Sequence, residues 1–395
     1  MKFILPLMLL VLANSLTAQV EDFKFVSYNL LNYNPNNIDD RHDEFRLIMN
    51  EIQPDLLVVQ EVDGLAAVQM FADSVLNIDS TTYSVASFID GPDSDIGLFY
   101  KSRIFTHKAL THYPTDLRDI VHHELKTNLE GRALDTSKVL HIFGLHLKAS
   151  SGSSNRALRK AEVDSLNKAL LPLINEPVIV CGDLNIYGST EPAYQALVND
   201  GTGYLHDTIN ITGTWNSALY AEFHTQSPRT TRFNGGANGG LDDRFDLILF
   251  SAAIANDSIY GYNGDMEVFG NDGQHYNKAL TDAPAHPSLS DTIIDALHYA
   301  SDHLPVMASF YNGTRGLSQK SHNNNELFLA YLNNRYCLIN KTGEKLSYRL
   351  YLSSGELKLE GDFYTRECFS LSKGAYLLEV VNLDGERLLL EKMIF

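Results

Sequence analysis

Tryptophan occurs once and cysteine three times in this 395-residue chain, and 31 Lys and Arg stand against 49 Asp and Glu. Three cysteines cannot build the multi-bridge framework of a small secreted scaffold. Cys337 and Cys368 are close enough in the last segment to be a candidate pair after export, whereas Cys181 lies in an apolar stretch and reads as a buried strand residue. Past the first residues, no apolar run approaches the roughly 18 residues a membrane-spanning helix needs. The shortage of basic residues leaves a formal charge of −18. A chain this acidic does not hold nucleic acid or an anionic membrane by a broad basic surface, so a polyanionic substrate must be held locally. The 44% apolar and 20% charged content is that of a globular protein and excludes wholesale disorder, collagen and coiled-coil arrays.

The start of the chain carries Lys2, an apolar run from Phe3 to Ala13 and a small, polar stretch to Gln19. Too short to span a bilayer, it has the order of an export signal, so residues 1–19 are expected to be removed and the protein to be secreted or cell-surface. Residues 311–325, YNGTRGLSQKSHNNN, read as a linker, dividing a large domain, 20–312, from a small one, 326–395, with the linker proper at 313–325. The small domain has nine basic and ten acidic residues; with Lys2 set aside, residues 20–325 keep 21 basic and 39 acidic, so the negative charge belongs to the large part.

In the large part, short apolar runs alternate with helical periodicity, the pattern of a layered α/β architecture. Strands are expected at 23–28, 55–60, 96–100, 139–147, 177–181, 244–250 and 304–310. Helices are expected where Phe45, Ile48, Met49 and Ile52 recur before Gln53-Pro54, and where Ala157, Ala161, Leu166, Ala169 and Leu170 precede Pro172. Residues 251–300 read as a long irregular excursion. The small part alternates in short strands separated by Gly-containing turns and is expected to be a β-sandwich.

Polar residues sit at the ends of these strands: Asn29, Glu61, His146, Asp183, Asn185, Asp246 and the pair Asp302-His303. Singly, each is more often a turn former or a satisfied structural group. Together they flank most of the strands, and charges beside apolar strands are expensive unless paired or bound to a metal. In open α/β sheets ligands gather outside the strand ends. Glu61 is a hard carboxylate suited to Mg²⁺, with Asn29 and Asp302 as nearby ligands. His303 is expected to be a general base oriented by Asp246. Asp183 and Asn185, at the turn after a core strand, are expected to position a water.

The segments SYNLLNY (27–33), QPDLLVVQEV (53–62), GLHLK (144–148), CGDLN (181–185), DDRFDLIL (242–249) and SDHLPV (301–306) resemble, in order, the motifs of the endonuclease/exonuclease/phosphatase superfamily. The resemblance covers about residues 22–312. It implies a four-layered α/β sandwich, two central sheets flanked by helices, and a divalent-metal-dependent phosphodiesterase using Mg²⁺, with Mn²⁺ or Ca²⁺ as alternatives. It makes His146 a second imidazole across the phosphorus, as acid or phosphate ligand, and Asp95 its acidic partner. Arg132 and, in the loop HTQSPRTTRFNGGANGG (224–240), Arg229 and Arg232 are expected phosphate contacts. His146 argues against the abasic-site endonuclease branch and DDRFDLIL against inositol 5-phosphatases, leaving secreted nucleases and sphingomyelinases. A monomeric endonuclease acting on DNA or RNA is the leading expectation. A phospholipid phosphodiesterase and a non-catalytic binding protein on the same scaffold are the alternatives. The ending KGAYLLEVVNLDGERLLLEKMIF resembles a type IX secretion sorting domain of Bacteroidetes, which implies the secretion machinery as a partner.

Overall fold

The computed structural model describes residues 21–35, 41–78, 82–128, 139–199, 201, 203–232, 235–255, 260–312, 327–332, 335–340, 344–352, 354–364, 366–369, 375–383, 385 and 387–394. The export segment, the linker 313–325 and Arg132 lie outside them. In chain order the large part runs β1 (Glu21–Tyr33), α1 (His42–Ile52), β2 (Leu56–Val62), α2 (Gly64–Phe71), β3 (Tyr83–Val85), β4 (Asp95–Lys101), β5 (Phe105–Tyr113), β6 (Ile120–Thr127) and β7 (Leu140–His146). It continues with α3 (Ser153–Leu170), β8 (Val178–Asp183), α4 (Pro192–Leu197), β9 (Asp246–Phe250), α5 (Ala252–Ala255), β10 (Tyr260–Tyr262), β11 (Glu267–Val268), α6 (Asp291–Ala300) and β12 (Val306–Asn312). No helix among the described residues is long and apolar enough to cross a membrane.

Two sheets carry the site. A seven-stranded sheet runs β10-β12-β1-β2-β4-β3, with β11 also on β12, and a five-stranded sheet runs β5-β6-β7-β8-β9. Alternation along the strands sorts their faces. In β7, Leu140 and Ile142 join a core that includes Val58, Ile96, Cys181 and Ile248, whereas Phe143 and Leu145 join Val163 and Leu166 of α3. The first core holds the sheets face to face and the second covers the five-stranded sheet with helix. The mixed α/β architecture of two sheets with flanking helices is therefore the one expected.

The α1 face is Phe45, Ile48, Met49 and Ile52, and the helix stops at Gln53, whose φ of 54° precedes Pro54. In α3 the expected apolar face is only half right. Ala157 and Ala161 are exposed, while Arg159 and Glu162 are buried with Val163 and Leu166. Arg159 turns inward because its Nε donates to Glu191 at 2.5 Å and its Nη1 to the Lys148 and Ser150 carbonyls, the pairing a buried charge needs. Residues 251–300 are not an irregular excursion throughout. They contain α6, which buries Ile293, Ile294, Ala296, Leu297 and Ala300 and opens on a Ser290 side-chain cap.

The small part forms β13 (Leu327–Leu332), β14 (Arg335–Asn340), β15 (Leu346–Leu352), β16 (Leu357–Phe363), β17 (Arg366–Phe369), β18 (Ala375–Val381) and β19 (Arg387–Ile394). They pair as sheets β13-β14-β17 and β16-β15-β18-β19, which share a core of Leu338, Leu346, Leu350, Phe363, Phe369 and Leu378. Cys368 is disulfide-bonded and opposite Cys337 in the ladder, while Cys181 is a free, buried thiol.

Gly182 fixes the approach of β7 and β8. Its φ is 134°, and a Cβ there would stand 1.9 Å from the Leu145 carbonyl oxygen. Gly182→Ala is expected to destabilise the protein by at least about 3 kcal/mol, read as a lowered urea midpoint or loss of soluble protein. A soluble variant with the wild-type midpoint would refute this account of the β7–β8 register.

Candidate active site

The strands deliver their polar ends to the gap between the two sheets. In β7, His146 shares its face with Ile142. In β8, Asp183 shares the face of Cys181, and in β9 Asp246 shares that of Ile248. From the facing sheet come Asn29 and Glu61. Both lie where the ladders slip: the β1–β2 register shifts between Asn29 and Tyr33, and the β2–β4 register between Gln60 and Val62. Leu31, Asn32 and Glu61 there have φ of 51°, 46° and 58°. An extra residue in left-handed conformation re-aims a side chain, and at Glu61 it leaves the carboxylate at the strand end. Arg41 braces this segment, donating to the carbonyls of Leu30, Leu31 and Ala300 at 2.7–2.9 Å. Ser301 Oγ donates to the Asn29 carbonyl at 2.7 Å.

The side chains then meet. Asn29 Nδ2 donates to Glu61 Oε1 at 3.0 Å and to Asp183 Oδ2 at 3.3 Å. The Asn32 amide donates to Glu61 Oε2 at 2.9 Å. His146 Nε2 stands 3.8 Å from Glu61 and 3.5 Å from Asp183. His303 Nδ1 is 2.6 Å from Asp246 Oδ2, and its Nε2 lies 3.7 Å from Asp183 and 2.5 Å from the Gln226 amide. The Asn185 backbone N–H donates to Asp183 Oδ1, and its side chain donates to the Leu147 carbonyl. Asn29, Glu61, His146, Asp183, Asn185, Asp246 and His303 are thus brought together.

The other expected residues are placed differently. Asp302 Oδ2 accepts from the Ala237 amide and its Oδ1 is buried without a partner among the described residues. Gly236, with φ of 69°, lets that loop backbone come close, since a Cβ would meet the Asp302 carboxylate at 2.7 Å. Asp95 does not pair with His146. It accepts from the Gly91 amide at 2.7 Å, closing its own turn, and His146 Nδ1 has no partner among the described residues. Burial, together with the charge of Asp90, pushes Asp95 up to about 6. Arg229 is not a clamp on a solvated loop. It is fully buried, its three guanidinium nitrogens unpartnered among the described residues, in the field of Asp302 and Tyr28. Burial pulls its pKa below that of an ordinary guanidinium. Arg232 is exposed.

Three contributors were not read from the sequence. Arg41 and Gln226 carry no local signal, being defined by where distant segments cross. Arg118, one-fifth exposed and 3.0 Å from Asp93, is a positive charge that acts on His146.

The electrostatics divide the two imidazoles. Burial first, then Arg118 and His303, hold His146 well below its ordinary 6.5. At His303 burial opposes the charge, but Asp246 and Asp183 overcome it and raise the ring well above 6.5. Asp183 is pushed up to about 7 by burial, with Asp246 and Glu61 adding repulsion against the attraction of His303. Carboxylates this close resist joint ionisation unless a cation joins them. Glu61, Asp183 and His146 each offer a ligand atom within 4.8 Å of the others, an oxygen-rich set that fits a hard divalent ion.

A family model described as the Endonuclease/Exonuclease/phosphatase family matches residues 26–303. The chain belongs to this family. Its members are metal-dependent hydrolases acting on phosphoester bonds. No curated protein sequence matches the chain significantly. Among solved structures, D. rerio TDP2 complexed with single strand DNA product is similar at 16% identity and a TM-score of 0.50, covering 73% of this chain and 98% of that one. An endonuclease/exonuclease/phosphatase family protein of Bacteroides thetaiotaomicron is similar at 18% identity and a TM-score of 0.46, covering 78% and 99%. The human Nocturnin catalytic domain with bound sulfate is similar at 19% identity and a TM-score of 0.44, covering 74% and 96%.

The His303–Asp246 pair has a pH consequence. Because the folded imidazole titrates above 6.5, its contribution to stability is full below that value and is lost as pH rises through the folded pKa. In EDTA, the urea midpoint of Asp246→Asn is expected to fall furthest below wild type near about pH 6, the gap closing on the alkaline side. A gap that stays constant or widens with rising pH would contradict the pairing.

Proposed function

We propose that this protein is an exported, divalent-metal-dependent phosphodiesterase, an endonuclease of DNA or RNA. The observation that carries the reading is the meeting of Asn29, Glu61, His146 and Asp183 with the His303–Asp246 pair in one gap. The D. rerio relative solved with a single strand DNA product is consistent with the nucleic-acid arm. The apolar run at 3–13 and the disulfide-bonded Cys368 support export to an oxidising compartment. The domain assignments at 20–312 and 326–395 and the secretion-sorting role of the small part belong to the same proposal.

Glu61, Asp183 and His146, with Asn29 beside them, would hold the ion, which supplies polarisation of the phosphoryl oxygen and stabilisation of the leaving oxygen. Asp302 gives its Oδ2 to the Ala237 amide and keeps its buried Oδ1, unpartnered among the described residues, as a further oxygen for the ion. With the Asp183 charge offset at the ion site, part of what raises the ring is removed, and His303 would take the proton of the attacking water at Nε2, while Asp246 fixes Nδ1–H and stabilises the imidazolium. Gln226, 2.5 Å from Nε2, holds the ring in plane until water and substrate replace that contact. His146, neutral at neutral pH, faces the scissile group from the other sheet. Asn29 and Asn185 can approach an anion that further carboxylates would repel. Arg118, whose charge reaches His146, would be a guanidinium to meet a phosphoryl oxygen.

His303→Ala is expected to lower turnover by about 10²–10⁴-fold with an unchanged circular dichroism spectrum, on a panel of plasmid DNA, RNA, bis-nitrophenyl phosphate and sphingomyelin liposomes with Mg²⁺ or Mn²⁺. Choline phosphate release without nucleic-acid cleavage would move the assignment to phospholipids. No wild-type turnover on any substrate, or full turnover by His303→Ala, would overturn it.

A further inference from the structure

A second group of metal-binding side chains lies outside the active site, on β6 and β7. His122 and Glu124 are two apart on β6 and point to the same face. The ladder puts Glu124 opposite His141 and His122 opposite Phe143, so all three side chains share the face that packs toward α3 through Phe143. His141 is the second residue of β7 and His146 the last, a separation of about 16 Å at the rise of an extended strand. The group is therefore at the far end of the strand from the catalytic gap, and on the opposite face, since residues 141 and 146 differ by an odd number.

The three are close and held in place. His122 Nε2 lies 2.9 Å from His141 Nδ1, and one ligand atom from each of His122, Glu124 and His141 falls within 4.8 Å of the others. The His122 ring is stacked on Phe143, centroids 4.1 Å apart and planes within 5°, which fixes its orientation in advance. Both imidazoles are buried. Glu124 is half-buried and makes no ion pair with Lys or Arg among the described residues. A hydrogen-bonded pair of imidazoles accounts for two rings but not for the carboxylate beside them, whose charge acts on His107 of β5 and which, half-buried with no Lys or Arg paired to it among the described residues, is costly. A cation shared by all three satisfies each.

We propose that His122, Glu124 and His141 form a second metal site, separate from the catalytic one, that takes a borderline transition-metal ion of the Zn²⁺ class. Two imidazoles and one carboxylate suit Zn²⁺ and leave a fourth position for water. The all-oxygen preference of Mg²⁺ fits the Glu61–Asp183 gap better. The ion cross-links β6 to β7 at the end of the sheet away from the chemistry, and its role is to brace that end.

The test uses the full chain carrying Glu61→Ala, which disables the catalytic centre, stripped with EDTA and then dialysed against Zn²⁺ with excess Mg²⁺. A single zinc equivalent by atomic emission, and a tetrahedral visible spectrum when Co²⁺ replaces Zn²⁺, are expected. Adding His141→Ala is expected to remove both. In a wild-type catalytic centre, His141→Ala should keep its Mg²⁺-dependent turnover. Should His141→Ala not fold, Glu124→Gln keeps the side-chain size and is expected to weaken zinc binding by about 10–100-fold or more. Zinc content unchanged by His141→Ala or Glu124→Gln, or no zinc held by Glu61→Ala, would overturn the site.

Discussion

The face-to-face packing of the two sheets is the constraint on which the site depends, because neither sheet carries it alone. Asn29 and Glu61 belong to the seven-stranded sheet and His146, Asp183 and Asp246 to the five-stranded one. The sheets can close only where a side chain is missing. At Gly144 a Cβ would stand 2.7 Å from Ile96 Cγ2 and 3.5 Å from Val58 Cγ1, both on the opposite sheet. Two residues further along the same face, His146 comes within 3.8 Å of Glu61. Since interiors are packed to crystal density, a methyl group at 144 would be felt at the site as a displaced imidazole.

That closeness sets the charges. Asp183 lies between two imidazoles and two carboxylates, and its upward shift to about 7 comes from burial first and repulsion second. His303 and His146 are both buried, yet they move in opposite directions because one has Asp246 at 2.6 Å and the other has an unpartnered Nδ1 and the positive field of Arg118. The same division shows why Asp246 must be buried: an exposed carboxylate would be screened and would not hold the His303 tautomer.

Much of the fold was legible in the sequence because the central strands are buried on both faces and read as continuous apolar runs, as in IGLFY and PVIVC. Strands β5 and β6 were missed because FTHKALTHY is only partly buried and IVHHELKT, though largely buried, carries His, Glu and Lys among its apolar residues, a pattern without a clean period. Helix α6 was missed because the Gly- and Asn-rich stretch before it set the expectation. The site residues at strand ends were legible as types, but their aim was not. Nothing in QEV announces that Glu61 takes φ of 58°, and nothing local announces that Gly91 rather than His146 claims Asp95. Arg229 is the sharpest case, since a guanidinium in a Gly-rich polar loop reads as exposed and is instead sealed beside Asp302.

The location of that buried cation changes what the net charge of −18 implies for substrate. With Arg41, Arg159, Arg229 and Arg244 all buried, and Arg244 paired at both nitrogens with Asp207, several of the guanidinium groups are unavailable to a polyanion. Arg41, Arg159 and Arg244 spend their charge on backbone carbonyls and carboxylates, and Arg229 lies in the field of Asp302. What remains outside is acidic, and over distances beyond the Debye length of about 8 Å it is screened at physiological salt. Within that distance the repulsion acts, so attraction must come from the gap itself, where a divalent ion would offset Glu61 and Asp183 and the charge of Arg118 reaches His146. A phosphoester would then be held at one group rather than along an extended polyanion.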